Sequence, residues 1–150
     1  MAHKSSVYLD TSVLNALFQE PVERKQTTQR FFEEALPLYD AYTSDLVIAE
    51  IEATEDADLQ RRLLEKVEQC EVLPVAPGAK ELSREYLRYL RMPDTDALHL
   101  AIASIEGMNY LVSWNIRHHA REKTRRVVDA VNFVAKLPPI FIVTPEDLLE

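Results

Sequence analysis

VYLDTSVLNALF, residues 7–18, gives the clearest indication of the fold. Its first residues, 7–9, form an apolar run without a polar face, which predicts the end of a strand in a parallel sheet covered on both sides. Asp10 follows at once, and Thr11 and Ser12 are residues that can cap the helix predicted to come next. Ligands of open α/β sheets bind beyond the carboxyl ends of the strands, so Asp10 is a candidate site residue, although it can also serve only as a helix cap.

The rest of the chain repeats this alternation of short apolar runs and longer helical patterns. We predict strands at residues 6–10, 41–43, 71–75, 109–113 and 140–143. Helical spacing of apolar residues predicts helices at 24–36, 45–53, 57–69, 78–91, 95–106 and 118–136, with a further helix starting at 145. This order predicts an α/β fold, in which helices cover a central parallel sheet, over a single domain of residues 1–150.

Composition excludes several classes of protein. The chain has only two glycines, so it contains no glycine-rich phosphate loop of the dinucleotide-binding or Walker type. The single cysteine, Cys70, excludes an internal disulfide and a multi-cysteine metal cluster. No apolar run reaches membrane-spanning length and the N-terminus lacks a signal core, so we expect a cytoplasmic protein with no membrane partner.

Charge is unevenly distributed along the chain. The formal net charge is −8, which argues against coating nucleic acid by bulk electrostatics. Residues 117–126 nevertheless hold five of the seventeen Lys and Arg residues. This basic run is a candidate phosphate-binding segment or a solvated helix face.

Glu50 is the second candidate site residue. It lies in TSDLVIAEIE, shortly after the second predicted strand, in a helix that Ser44 is positioned to cap. Leu46 and Val47 lie one turn back on its side of the helix, which turns Glu50 inward. An isolated inward charge is expensive unless it is paired or bound to metal.

Asp96 is the third candidate. It lies in MPDTDALHLAIA near the start of a predicted helix, on the side of that helix shared with His99. The alternative is that Asp96 only stabilises the helix dipole, with Asp94 or Thr95 as the cap.

These acids would lie at strand ends or helix starts of one small sheet. Hard cations such as Mg²⁺ or Mn²⁺ take oxygen ligands, and a cation relieves the repulsion between neighbouring carboxylates. Such a cation can also activate water and stabilise charge on a phosphate undergoing displacement. The acids therefore predict a divalent-metal site.

Several motifs occur together in a family order and spacing: LDTSVL, SDLVIAEIE, DTDALHLAIA, YLVSWNIRHHA and the closing PPIFIVTPEDLL. They resemble PIN domains, and most closely the VapC toxins of bacterial and archaeal toxin–antitoxin pairs. The resemblance implies a Rossmann-like, three-layer α/β/α sandwich and a metal-dependent ribonuclease. It also implies that Asp10, Glu50 and Asp96 bind Mg²⁺ or Mn²⁺, and that Thr11 positions water or substrate.

The same resemblance implies partners. Toxins of this kind cleave RNA, are neutralised by a small antitoxin protein from an adjacent gene, and often form homodimers. We therefore expect an RNA substrate, an antitoxin and a possible homodimer.

The chain departs from many PIN domains after the fourth strand. Another aspartate is usual there, whereas this chain has Ser113-Trp114-Asn115 followed by His118, as in a subgroup that writes W-N-x-x-H. Asn115 can orient water or hold a ligand but adds no negative charge. We therefore predict a catalytic role for Asn115 and one tightly held ion, with any second ion arriving with RNA.

Other polar residues near this point have two interpretations each. His118 either meets a substrate phosphate or completes the first turn of the next helix, and Trp114 either packs or stacks on a base. His99 is predicted to be a packed helix residue rather than a ligand, because Mg²⁺ prefers oxygen. The predicted phosphate contacts are Arg117, Arg121 and Lys123.

Three functions remain at this stage. The leading one is a metal-dependent endoribonuclease, and the alternative is a PIN-fold RNA- or protein-binding module that has weak or no catalysis. A phosphatase with an aspartate nucleophile is disfavoured, because its usual second acid is replaced here by Ser12.

Overall fold

The computed structural model describes residues 4–115 and 122–149, which form a parallel sheet covered by helices. The sheet has five strands in the order β3-β2-β1-β4-β5, and every neighbouring pair is parallel. The strands are β1 (Ser6–Leu9), β2 (Asp40–Ser44), β3 (Glu71–Leu73), β4 (Tyr110–Val112) and β5 (Phe141–Val143). The predicted α/β/α class and the five strand positions are confirmed, with β3, β4 and β5 shorter than predicted.

The α-helices follow the predicted order with different ends. They are α1 (Thr11–Ala16), α2 (Val22–Arg30), α3 (Asp45–Glu52), α4 (Ala57–Val67), α5 (Ala79–Leu87), α6 (Asp94–Ile105) and α7 (Glu122–Val134). The single helix predicted over 24–36 is wrong, because α2 gives way to a π-helical turn at Phe31–Ala35 and a 3₁₀ turn at Leu36–Leu38. The helix predicted from 145 is only a 3₁₀ turn, Glu146–Leu148.

Helix starts explain where two candidate acids lie. Ser44 caps α3 as predicted, by accepting a hydrogen bond from the Val47 backbone N–H. The cap of α1 is Asp10 itself rather than Thr11 or Ser12. Helix α6 starts after Pro93 without a side-chain cap, so neither Asp94 nor Thr95 has the predicted capping role.

Strand β1 lies in the middle of the core. Val7, Tyr8 and Leu9 have no exposed surface, as expected for a strand with helices on both faces of its sheet. Helices α1 to α4 pack among themselves, and α5 packs against α6 and α7. No helix in the described part of the chain is long and apolar enough to cross a membrane.

The strand order reverses direction at β1, which pairs with β2 on one side and β4 on the other. Such a reversal opens a crevice at the carboxyl ends of the strands, where α/β folds place their ligands. The Asp10 backbone N–H donates to the Val112 carbonyl at 3.3 Å, which continues the β1–β4 pairing to the edge of the sheet. The single domain over 1–150 stays a prediction, since residues 1–3, 116–121 and 150 lie outside the described part.

Candidate active site at the carboxyl ends of the strands

Asp10 is buried at the junction of β1 and α1, with 1% of its surface exposed. Its Oδ1 accepts hydrogen bonds from the Ser12 hydroxyl at 2.5 Å and from the Val13 backbone N–H at 3.3 Å. Its Oδ2 accepts a hydrogen bond from the Ser113 hydroxyl, just past β4. Asp10 therefore caps α1, and it is also tied to the end of the neighbouring strand.

Burial raises the pKa of Asp10 above its ordinary value. The charge of His99 and the hydrogen bonds from Ser113 and Ser12 lower this pKa, but they do not offset the loss of solvation. The ionised carboxylate is therefore held in an environment that under-compensates its charge. A cation beside it would favour the ionised form.

Glu50 lies on α3 with 31% of its side chain exposed. Its Oε1 accepts hydrogen bonds from the Thr11 hydroxyl at 2.8 Å and from His99 Nε2 at 2.7 Å. Its Oε2 accepts no hydrogen bond from residues 4–115 or 122–149. Burial, the largest single influence, raises the pKa of Glu50, but the bond and charge of His99 and the Thr11 bond together hold this pKa below its ordinary value.

Asp96 lies in the first turn of α6 and is 6% exposed. His99, one turn further along the helix, is 2% exposed. Ala97 and every residue from His99 to Ser104 on this helix are buried. Asp96 therefore enters a buried environment together with His99.

His99 is a packed helix residue, as predicted, and it also joins the site to the core. Its Nδ1 lies 2.7 Å from the Tyr8 hydroxyl, which in turn lies 2.7 Å from Ser44 Oγ. Sequence reasoning assigned Tyr8 only to an apolar strand. A tyrosine hydroxyl inside a fully buried strand needs a polar partner, and that requirement was the signal for this contact.

Electrostatic effects connect the two acids Asp10 and Glu50. Burial raises the pKa of Tyr8 well above its ordinary value, and the negative charges of Asp10 and Glu50 raise it further. The charge of His99 lowers the pKa of both acids. Asp10 and Glu50 therefore act on the same buried pair, Tyr8 and His99, from two separate segments of chain.

Residues after β4 divide into packed and exposed ones. Trp114 is 4% exposed, donates its indole N–H to Thr28 Oγ1 at 2.9 Å, and has the Arg24 guanidinium 4.8 Å from its ring centroid. Of its two predicted roles, packing is therefore confirmed. Asn115 is exposed, and its backbone N–H donates to Ser113 Oγ at 3.1 Å.

The predicted phosphate contacts are only partly within the described chain. Lys123 is exposed near the start of α7. Arg117, His118 and Arg121 lie outside the described residues. Their roles, and that of Lys123, stay predictions.

Hydroxyl groups around the acids were missed by sequence reasoning. Ser12 donates to Asp10 and accepts the Trp114 backbone N–H at 2.9 Å. Ser113 reaches Asp10 from 103 residues away along the chain. Thr11 donates its hydroxyl to Glu50, and its predicted role of positioning water or substrate stays a prediction.

The donor set has the chemistry that Mg²⁺ and Mn²⁺ select, since Asp10, Glu50 and Asp96 offer carboxylate oxygens. Hydroxyl donors orient Asp10 without neutralising it, and no Lys or Arg in the described segments forms an ion pair with Asp10 or Glu50. Within residues 4–115 and 122–149, no three His, Cys, Asp or Glu side chains are grouped closely enough to enclose an ion. A joint metal-binding role for Asp10, Glu50 and Asp96 therefore stays a prediction.

Comparison of the sequence with family models gives one match. Residues 7–123 match the model of the PIN domain. This segment covers β1 to the start of α7, and so includes all of the candidate acids. No curated protein matches the chain in sequence.

Solved structures with a similar fold include three proteins of toxin–antitoxin systems. VapC20 of Mycobacterium tuberculosis, described as a sarcin-ricin loop cleaving toxin, is 19% identical, with a TM-score of 0.58 over 70% of this chain and 86% of that one. VapBC2 from Rickettsia felis, bound to a promoter DNA fragment, is 13% identical, with a TM-score of 0.62 over 93% and 98%. A Klebsiella pneumoniae toxin–antitoxin complex is 19% identical, with a TM-score of 0.58 over 79% and 93%. At these identities the likeness concerns the fold alone.

Proposed function

This chain belongs to the PIN domain family, and from that premise we propose that it is a metal-dependent endoribonuclease that hydrolyses RNA phosphodiester bonds. We propose further that it is the toxin of a toxin–antitoxin pair. The family resemblance first seen in the sequence motifs is confirmed by the family model. The fold shared with VapC20, described as a sarcin-ricin loop cleaving toxin, supports the choice of a cleaving toxin.

One observation carries the proposal. Asp10 and Glu50, from the ends of two different strand–helix units, are oriented by hydroxyls and by one histidine at the carboxyl edge of the sheet. The donors around Asp10 leave its negative charge under-compensated, which is typical of a site prepared for a cation. A purely structural acid is usually paired or neutralised instead.

Each site residue then has a distinct task. Asp10, Glu50 and Asp96 would hold Mg²⁺ or Mn²⁺, with Glu50 contributing Oε2, the oxygen that accepts no hydrogen bond from the described residues. When bound, the cation supplies positive charge beside the phosphate group and makes water a stronger nucleophile. Asn115 offers a neutral amide that orients water or substrate, in place of another acid.

Substrate contacts follow from charge. An acidic cleft repels RNA, so positive side chains must border it. The residues that would contact phosphates, in the segment after the fourth strand, are Arg117, His118, Arg121 and Lys123. Thr11, whose hydroxyl donates to Glu50, would position substrate beside that carboxylate. Without these contacts the cation alone would have to offset the repulsion.

We propose a small antitoxin protein and an RNA as partners, and a homodimer as the assembled form. The neighbour from Klebsiella pneumoniae is described as a toxin–antitoxin complex, which supports the antitoxin. The identity of the adjacent reading frame tests this partner directly.

A PIN-fold binding module without catalysis is the second candidate. Asn115 favours it, because this exposed neutral amide stands where many PIN domains have another acid. The two candidate functions differ in whether the acids Asp10, Glu50 and Asp96 bind metal and whether the protein cleaves RNA.

The test uses purified wild type, Asp10→Asn, Asp96→Asn and the control Glu52→Gln, which removes a charge from the exposed side of α3. We expect wild type and control to cleave fluorescent RNA with Mn²⁺ and to stop with EDTA, while both aspartate variants are inactive. Added Mn²⁺ should also raise the melting temperature of wild type, since a ligand that binds only the folded state stabilises it. Cleavage retained by both aspartate variants would reject the proposal, and a silent Mn²⁺ titration would favour the binding module.

A further inference from the structure

The contact between His99 and Glu50 defines which atom donates. The two atoms His99 Nε2 and Glu50 Oε1 are 2.7 Å apart, and the histidine is almost fully buried. An ionised carboxylate has no proton to give, so the hydrogen in this bond must sit on Nε2. This holds for both the neutral and the charged ring.

The other ring nitrogen continues the bonding into the core. In the neutral ring Nδ1 is an acceptor, so the Tyr8 hydroxyl donates to it, and the Tyr8 oxygen is left to accept from Ser44. Ser44 Oγ in turn accepts the Val47 backbone N–H at 3.4 Å. Each buried polar group in this series thus has a partner, and each bond selects the direction of the next.

We call Ser44, Tyr8, His99 and Glu50 the Glu50 network. It starts at the cap of α3, crosses β1, reaches α6, and returns to α3 at Glu50. The orientation of the partly exposed Glu50 carboxylate is therefore set by groups on β2, β1 and α6. Thr11 adds a further bond to the same oxygen, Oε1.

We infer that His99 is a positioning residue for the candidate reaction: its Nε2–H holds Glu50 Oε1, so that Oε2 is the oxygen presented to a divalent cation. This inference rests on the proposed function for the identity of the cation. Tyr8 and Ser44 act one step further out, by fixing the ring orientation and the hydrogen position of His99. Such outer partners of a ligand typically change metal affinity or activity by about 10–100-fold when removed.

Two substitutions at the same position separate positioning from packing. In His99→Gln the terminal amide reaches the place of Nε2 and can still donate to Glu50. In His99→Asn the shorter amide reaches only the place of Nδ1, beside Tyr8. A positioning role predicts that His99→Asn loses Mn²⁺ affinity and kcat by about 10–100-fold, with KM for RNA unchanged, while His99→Gln recovers most of the loss.

The two readouts are the dependence of the melting temperature on Mn²⁺ concentration and the kinetics of RNA cleavage. Equal Mn²⁺ affinity in wild type, His99→Gln and His99→Asn would overturn the inference. A His99→Asn variant that binds Mn²⁺ more tightly and cleaves RNA faster than His99→Gln would also overturn it, because the contact with Tyr8 alone would then support Mn²⁺ binding and cleavage.

If the His99 variants do not fold, Tyr8→Phe tests the same network and Tyr86→Phe is its matched control. Each substitution removes one buried phenol oxygen from a hydrogen-bonded network, but Tyr86 bonds to Ser104 and Asn132, away from Glu50. We expect only Tyr8→Phe to weaken the Mn²⁺ response. An equal response in the two variants would contradict the positioning role.

A measurement without metal or RNA separates this inference from the proposed function. Histidine labelled with ¹⁵N should show a solvent-protected Nε2–H for His99 whose proton shift moves in Glu50→Gln, where the bond loses its charge. A wild type that has this signal but ignores Mn²⁺ supports the positioning bond and counts against the proposed function alone. Absence of the Nε2–H signal overturns the positioning bond, whatever the Mn²⁺ response.

Discussion

Two buried polar networks in the described part of the chain are each built around a tyrosine. In the Glu50 network Tyr8 connects Ser44 to His99 and so to an acid at the edge of the sheet. In the second, which we call the helix network, the Tyr86 hydroxyl lies 2.5 Å from Asn132 Oδ1 and 3.2 Å from Ser104 Oγ, and the Asn132 amide donates to Ser104 at 3.1 Å. The helix network joins α5, α6 and α7.

The two networks differ in charge and in where they end. Every member of the helix network is neutral and buried, and burial alone raises the pKa of Tyr86, to about 12. The Glu50 network ends on an ionised, partly exposed carboxylate. Burial raises the pKa of Tyr8 in this network, and the negative charges of Asp10 and Glu50 raise it further. A closed neutral network contributes stability, whereas an open charged one holds a side chain in place for a ligand.

Glu50→Gln should give the largest effect and separate charge from hydrogen bonding. The glutamine oxygen can still accept from Thr11 and His99, so we expect the free energy of unfolding to change by less than about 1 kcal/mol. Loss of the negative charge should lower Mn²⁺-dependent RNA cleavage by at least about 100-fold, beyond the range of an outer partner of a metal ligand. Urea denaturation and cleavage kinetics measure the two effects, and Glu52→Gln is the control. Cleavage at the wild-type rate would show that the negative charge of Glu50 does not contribute to the reaction.

Asn132→Ala should break the helix network with the opposite pattern. The Tyr86 hydroxyl and Ser104 would lose a buried partner, which costs about 1–3 kcal/mol of unfolding free energy. Urea denaturation should detect this loss, while the Mn²⁺-induced rise in melting temperature stays as in wild type. A weakened Mn²⁺ response would mean that the two networks are coupled.

Ser12→Ala should have a smaller effect, which acts through the hydrogen bonds around Asp10. Asp10 would lose one hydroxyl donor and the Trp114 backbone N–H would lose its acceptor. We expect RNA cleavage to fall by roughly 10-fold, as for other outer partners of a metal ligand. Ser83→Ala is the control, because Ser83 is a buried serine whose hydroxyl donates within α5, to the Lys80 carbonyl. Equal cleavage by the two variants would argue that the bond from Ser12 does not matter.

The smallest effect we expect is the pH dependence of the stability lost in Tyr86→Phe, which changes only on the alkaline side. The pKa of Tyr86 is raised from 10.0 to about 12 on folding, so its protonated form contributes stability that is fully present below the unfolded pKa and is lost as pH rises through the folded one. The stability difference between wild type and Tyr86→Phe should therefore shrink between about pH 8 and about pH 11. Urea denaturation at the two pH values measures it, and a constant difference would contradict the raised pKa.

Local sequence patterns were sufficient for most of the fold. The apolar runs around β1 and β4 predicted buried parallel strands, and Ser44 predicted the start of α3. These features depend on neighbouring residues alone. The π-helical turn at Phe31–Ala35 was missed, because α2 and this turn share one continuous helical pattern in the sequence.

The candidate site was only partly predictable. Asp10, Glu50 and Asp96 were found because each lies at a strand end or in a helix start with a recognisable local pattern. Tyr8 and Ser113 were not assigned to the site, since neither has a local pattern that separates it from an ordinary strand residue. Their roles come from partners more than 90 residues away along the chain.

Periodicity, helix starts and motif spacing can be read along the chain, and they were enough to predict the parallel α/β order, the family and three candidate acids. The folded structure was needed to show which oxygen of Glu50 is engaged, that Ser113 donates to Asp10, and that Tyr8 and His99 are hydrogen-bonded in series to Glu50. Hydrogen bonds are short and directional, so their partners are defined only after packing has brought distant segments within about 3 Å of one another.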